Sequence, residues 1–429
     1  MNILAGVLWV LGSGFKALLL CSVLALSLAF CSAALYVSHR IAFPPWHDPR
    51  PGSSSLTQKR MPEAWAGFTL DPYTSLGLQF ESVAFRSRSG RWLRGWWVPA
   101  PVEPPAPIGV VCVHGGGRDR RAFMRQSVLF HRRGWSVLLF DCTGHGTSDA
   151  RHRFPLGAWP GAAITYGTLE WSDVIDALRY TYERIREQAQ RSAAASSVRI
   201  RVALVGTSQG AVSAAYAAAY LTRRFEQGDG AACPPVDVLV LENPFTSPLA
   251  LFAHLASHVA MPVARYGSRW CFLRHVVRFW VMTCTTLALF RTGNVALTCR
   301  MLAKACEREG QPYRCAWWQG IATLGQLLSV SLSLSSSSSS SSRETPPAGG
   351  FDSVAEAVQA LKCPVFFMHG MKDWIVPYKH SVQLYKAANE PKELWLSAEA
   401  GHTMMYHCEP DTFETRVCGF MERYLRGSM

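Results

Sequence analysis

Arg201 to Val205 (RVALV) runs into Gly206-Thr207-Ser208-Gln209-Gly210, and Ala211 to Tyr220 (AVSAAYAAAY) follows directly. A short β-branched run, a tight glycine-flanked turn and an Ala-rich segment predict a strand, an elbow and a helix from Gly210 to Arg224. The turn matches G-x-S-x-G in the strand–turn–helix setting that the motif requires. Glycines on both sides allow a sharp turn that lifts the Ser208 hydroxyl above the sheet edge. Ala211, Ala214, Ala215 and Ala217–Ala219 let the helix approach the strands closely. The helix N-terminus adds partial positive charge and free N–H groups beside Ser208.

Working outward, the same pattern of buried strand and polar or glycine-rich exit recurs. Ile108 to Val113 (IGVVCV) ends in His114-Gly115-Gly116-Gly117, and Ser136 to Phe140 (SVLLF) ends in Asp141. Val236 to Leu241, Pro364 to Met368 and Glu393 to Leu396 repeat it. Runs apolar on both faces belong to parallel strands covered by helices. Helical patterns at Thr168–Arg186, Gly210–Arg224 and Asp352–Leu361 separate them. Leu78–Phe85 and Arg91–Pro99, joined by Ser-Arg-Ser-Gly, predict a β-hairpin. The fold class is α/β, a doubly wound, mostly parallel sheet.

A serine hydroxyl is a weak nucleophile; it needs a base, and the base needs an orienting acid. Asp373 falls in the turn after the strand Pro364–Met368, and His402 in the loop after Glu393–Leu396. Both reach the sheet edge where Ser208 stands, the edge at which doubly wound folds bind ligands. His369 sits too close to its own strand, while His380 and His407 fall in helical patterns that suit a surface role. Glu242, directly after a strand, is the alternative acid. Backbone N–H groups for a developing oxyanion are expected from Gln209 and from Gly116, with Gly115 the near alternative. The Gly115–Gly117 run lacks the Lys-Ser/Thr of a phosphate cradle. Asp141 and Gly144–Ser148 read as structural, ordering the loop after their strand.

Taken together, His114-Gly115-Gly116, Asp141-x-x-Gly144-x-Gly146-x-Ser148, Gly206-x-Ser208-x-Gly210, Asp373 in Gly-x-x-Asp and Gly401-His402 resemble the α/β-hydrolase superfamily. The resemblance covers roughly residues 75–425 apart from an insertion. Glu242-Asn243-Pro244-Phe245-Thr246-Ser247 looks like a segment of its Bem46-like branch, which is similar to prolyl-oligopeptidase-type and serine-aminopeptidase domains. The resemblance implies a Ser208–His402–Asp373 triad, an acyl-enzyme route and no cofactor. What departs is a long cap, about residues 243–350, carrying a Ser-rich loop at about 329–350 with eight consecutive serines, Ser335 to Ser342. Inside that cap Phe279 to Phe290 (FWVMTCTTLALF) is uncharged between Arg278 and Arg291, too short to span a bilayer and suited to a lid.

At the other end, Ala17 to Ser38 holds twenty-two uncharged residues, enough to cross a hydrocarbon core. Residues 1–38 are therefore expected to be a membrane anchor, 39–63 a linker and 64–429 the hydrolase domain. Positive charges after the apolar run (Arg40, Arg50, Lys59, Arg60) favour a cytoplasmic body. An anchored enzyme shares its surface with membrane lipid, which points to ester or thioester substrates, lipids or acylated proteins. A serine peptidase and a non-catalytic scaffold are the rivals.

Composition narrows the classes further. Of 429 residues 49% are hydrophobic and 17% charged, enough apolar surface to order a chain. The net charge is +13, yet the basic residues are scattered and form no run of five or six, so nucleic acid is not an expected partner. None of the thirteen cysteines stands in C-x-x-C spacing, and HExxH is absent. No metal site is expected.

Overall fold

The computed structural model describes residues 71–101, 106–149, 164–191, 199–228, 233–255 and 350–426, together with isolated positions within 21–41 and 280–303. Eight strands form one sheet: β1 (Glu81–Arg86), β2 (Trp92–Val98), β3 (Ile108–Val113), β4 (Ser136–Phe140), β5 (Arg201–Thr207), β6 (Val238–Glu242), β7 (Val365–Gly370) and β8 (Lys392–Ser397). Their order is β1-β2-β4-β3-β5-β6-β7-β8. β1 and β2 form the expected hairpin, and β2 pairs antiparallel with β4. From β4 through β8 every pairing is parallel.

The helices that cover the sheet are α1 (Met124–Arg132), α2 (Trp171–Arg191), α3 (Gln209–Glu226), α4 (Val354–Gln359), α5 (Lys379–Ala387) and α6 (Gly419–Leu425). They divide between two faces, as parallel strands buried on both sides demand. One face packs Val111, Leu138, Leu204, Leu241 and Phe367 under α2, α3 and α4. The other packs Val110, Cys112, Val137, Val205, Val240 and Phe366 against α1 and α6. β3 to β7 are fully buried or nearly so, whereas β8, at the sheet edge, is half-buried except at Trp395 and Ser397. Two glycines in the elbow are steric requirements. A Cβ on Gly210 would lie 2.1 Å from the Val113 carbonyl oxygen, and one on Gly206 2.5 Å from that of Gly210. The alanines of α3 are fully buried beside them.

Register aligns the carboxyl ends of the central strands. Thr207 stands opposite Glu242, and Glu242 opposite Met368. Ser208 and Asn243 thus leave the sheet side by side, next to His369 of β7, and Ser208 donates its N–H to the Glu242 carbonyl at 2.8 Å.

Beyond β6, residues 248–255 are helical. Phe252 from that helix packs with Ala34, Ile41 and Cys284. Tyr166 closes this contact, donating from its hydroxyl to the Ile41 carbonyl at 2.8 Å and standing edge-on to Phe252. Among the described residues no helix is long and apolar enough to cross a membrane. Nine of the twenty-two residues Ala17–Ser38, the 39–63 linker apart from Ile41, the serine tract and most of Phe279–Phe290 lie outside the described residues.

Candidate active site

The site is built where β5, β6, β7 and β8 end. Ser208 opens α3 with φ 55° and ψ −120°, a left-handed backbone that serine adopts only under constraint. Four non-glycine residues among those described have positive φ: Tyr166, Ser208, Asn243 and Thr403. Three of them meet here.

His402 Nε2 lies 3.1 Å from Ser208 Oγ, and His402 Nδ1 lies 2.6 Å from Asp373 Oδ2. An ionised carboxylate only accepts, so Nδ1 carries the ring proton and Nε2 is left to accept from the serine. Asp373 is 6% exposed. Burial opposes its charge, but bonds from His369, His402 and backbone N–H groups outweigh that and hold the carboxyl well below the usual carboxylate range. Its Oδ1 accepts from the Ile375 and Val376 N–H groups, both at 2.9 Å. Asp373 is thus charged and rigid, which fixes the imidazole from behind.

The other histidines fall into supporting places. His369 is fully buried in β7; one ring nitrogen donates to the Val376 carbonyl at 2.8 Å and the other accepts from Ser381 Oγ at 2.6 Å. This pins the turn that carries Asp373. His380 is not a surface residue as its helical pattern suggested: it is half-buried, bonds Thr246 Oγ1 at 3.0 Å, and burial pushes it down to about 4. His407 is half-buried as well, and burial pushes it down to about 4. Glu242, the alternative acid, is buried beneath the site and accepts from the Met405 N–H at 3.1 Å. Burial pushes it up to about 7, so it is poised to be neutral where Asp373 is charged.

Over the serine lies the loop after β3. A Cβ on Gly115 would lie 3.3 Å from Ser208 Cβ, and one on Gly116 would lie 2.8 Å from Gln209 Oε1. Both glycines therefore border the Ser208 elbow, Gly115 against Ser208 itself and Gly116 against the side chain of the next residue. His114 fastens this loop: its Nδ1 donates to the Gly115 carbonyl at 2.8 Å, and its Nε2 accepts from the Cys142 N–H at 3.0 Å. Gln209 begins α3, and its N–H belongs to the first turn, which has no partner within the helix. Asp141 works below this loop. It accepts from the Arg120 N–H at 2.8 Å and the Thr147 N–H at 2.9 Å, and it pairs with the Arg120 guanidinium.

Sequence reasoning passed over one contributor, Asn243. Its side-chain amide donates to Asp373 Oδ2 at 2.7 Å, and its Oδ1 accepts from the Thr403 N–H at 3.3 Å. A signal was present, since an asparagine directly after a buried strand is suited to the left-handed conformation it takes. Among the described residues no group of His, Cys, Asp and Glu is arranged to hold a metal ion.

Solved structures similar to this chain include an esterase of Pyrococcus furiosus, at 16% identity and a TM-score of 0.48, covering 82% of this chain and 94% of that one. The hydrolase GrgF from Penicillium sp. sh18 is 16% identical, with a TM-score of 0.47 over 82% of this chain and all of its own. An acetyl xylan esterase from Paenibacillus sp. R4 is 16% identical, with a TM-score of 0.45 over 83% of this chain and 87% of its own. Among curated proteins none matches the sequence. The family model of the α/β hydrolases, however, matches residues 110–414, from the middle of β3 to beyond the His402 loop. By that match the chain belongs to the α/β-hydrolase family.

Proposed function

We propose that this chain is a membrane-anchored serine hydrolase that cleaves ester or thioester bonds of lipids or acylated proteins. One observation carries the reading: a serine held in a left-handed elbow, a histidine 3.1 Å from its hydroxyl, and a buried carboxylate 2.6 Å behind that histidine. That arrangement is what acyl transfer to a serine needs.

In this reading Ser208 Oγ attacks the carbonyl carbon while its proton passes to His402 Nε2. Asp373 keeps the proton on Nδ1 and stabilises the imidazolium that forms. The N–H groups of Gln209 and Gly116 take the developing oxyanion, with the Gly115 N–H as the neighbouring candidate. The carbon–oxygen or carbon–sulfur bond to the leaving group then breaks, and the departing atom takes the proton from Nε2. Water, deprotonated by the same nitrogen, attacks the acyl-serine and restores Ser208. No cofactor is needed for these steps.

The anchor supports the choice of substrate. Leu24, Leu28, Leu35 and Tyr36 are more than half exposed in the N-terminal stretch, while Ala34 and Ile41 pack on Phe252. A bilayer would cover such leucines and bring acyl chains to the enzyme. The Glu242–Ser247 segment and the N-terminal run favour the Bem46-like branch and a cytoplasmic body.

A panel of carboxylic esters, thioesters and aminoacyl amides of rising acyl length, presented in solution and in vesicles, tests the substrate class. The reading predicts turnover of esters or thioesters, greatest for long chains in vesicles. Preference for the amides would replace it with a peptidase.

A further inference from the structure

Asp373 Oδ2 serves two donors at once, His402 Nδ1 at 2.6 Å and Asn243 Nδ2 at 2.7 Å. The Asn243 amide then turns back through its own oxygen to the Thr403 N–H, one residue beyond His402. A single side chain therefore touches the acid and the backbone that carries the base. Its own backbone is held just as firmly, since the Asn243 N–H donates to the Met368 carbonyl at 2.9 Å. The residue is fully buried, at φ 50°, and the preceding Glu242 accepts the N–H of Ser208 through its carbonyl. Among non-glycine residues, asparagine tolerates that backbone best, and it alone combines that tolerance with a donor and an acceptor on one short arm.

We infer that Asn243 is a positioning residue for the hydrolytic reaction: it clamps Asp373 and the His402 loop in one geometry and shares the charge of the Asp373 oxygen that faces His402. This rests on the triad reading above. The physical consequence concerns the proton balance of the pair. A donor on Oδ2 draws charge away from the His402 side, so it weakens the hold of Asp373 on a charged imidazole. Without it, Asp373 favours the imidazolium more, and the base must be freed at a higher pH. Other ionisable groups face the pair: Glu242 from β6, His369 from β7 and His380 from α5, with Lys372 and Glu399 paired to each other at the rim. None of them is altered by substituting Asn243.

The test uses the full chain and the pH dependence of two rates, kcat/KM for a short soluble ester and the rate of labelling by a fluorophosphonate. Asn243→Gly keeps the left-handed backbone and removes the amide. Its acid limb should move up by about half a pH unit in both measurements, with kcat falling roughly tenfold, about the worth of a hydrogen bond to a charged group. KM should change little. Asn243→Ser, whose side chain is too short to reach Oδ2, should move the limb in the same direction even if the glycine variant folds poorly. Folded variants that lose rate at every pH with the limb unmoved would overturn the inference, leaving Asn243 a packing residue. A wild-type chain that neither turns over nor labels would instead overturn the triad reading on which it rests.

Discussion

The Met405 N–H donates to Glu242 Oε1 at 3.1 Å, joining the residue before Asn243 to the loop that follows His402. The carboxyl at this junction is 3% exposed, and burial pushes it up to about 7. Between pH 4.5 and 7 the unfolded chain carries a carboxylate here and the folded chain an acid, so folding takes up a proton. Stability from this group is greatest below about 4.5, falls as pH rises to about 7 and is level above it, a total on the order of 3 kcal/mol. Glu242→Gln keeps the acceptor for Met405 and removes the proton. Denaturant unfolding at pH 4.5 and pH 8 should show the variant gaining on wild type at the higher pH. Equal changes in the two proteins would mean that Glu242 is ionised in the fold.

Glycine substitutions separate packing from chemistry. Gly210→Ala sets a Cβ 2.1 Å and 2.4 Å from two backbone oxygens, those of Val113 and His114, and neither can move without breaking β3. It should cost about 3 kcal/mol or more and give little folded protein. In Gly116→Ala the near atom is Gln209 Oε1, the end of a flexible side chain. That variant should melt within a few degrees of wild type. Thermal melts that rank the two the other way would contradict the elbow packing.

The acid can be assigned by comparison. Asp373 holds His402 Nδ1, whereas Glu242 holds a backbone N–H. Asp373→Asn should therefore cost on the order of 10⁴ in kcat, the loss expected when an imidazole is held in the wrong tautomer. Glu242→Gln should cost less than about tenfold. Steady-state kinetics in which Glu242→Gln is the worse variant would move the acid role to Glu242.

Removing residues 1–60 takes Ala34 and Ile41 away from Phe252 and Cys284 and leaves the Tyr166 hydroxyl without the Ile41 carbonyl. The truncated chain should melt roughly 2–4 °C lower. Turnover of a short soluble ester should stay within about threefold of the full chain, since the triad and the His114–Gly117 loop are untouched, while turnover of a long-chain ester in anionic vesicles should fall much further. Parallel losses on both substrates would mean that the N-terminal stretch is part of the core and not a route to the membrane.

Much of this architecture was legible in the sequence because its signals are local. β3, β4 and β5 announce themselves as short apolar runs, and the GTSQG elbow ties one of them to α3. Asp373 and His402 could be placed because each follows a strand end, and strand ends share one edge. Asn243 was harder to find, since its role depends on β6 lying between β5 and β7, an order that no stretch of sequence states. The burial of His380 was missed for a similar reason. A helical pattern does not tell that the Thr246 segment will cover it. The antiparallel join of β2 to β4 likewise depends on the crossover and not on either strand.

The central claim is that Ser208 is a nucleophile activated by His402. Incubation of the folded full-length chain with a fluorophosphonate, followed by mass spectrometry of its peptides, tests it most directly. The account predicts one phosphonate adduct, on Ser208, with labelling lost in Ser208→Ala and slowed at least a hundredfold in His402→Ala. Folded wild-type protein that takes up no label, or takes it up on another serine at a rate indifferent to His402, would contradict it.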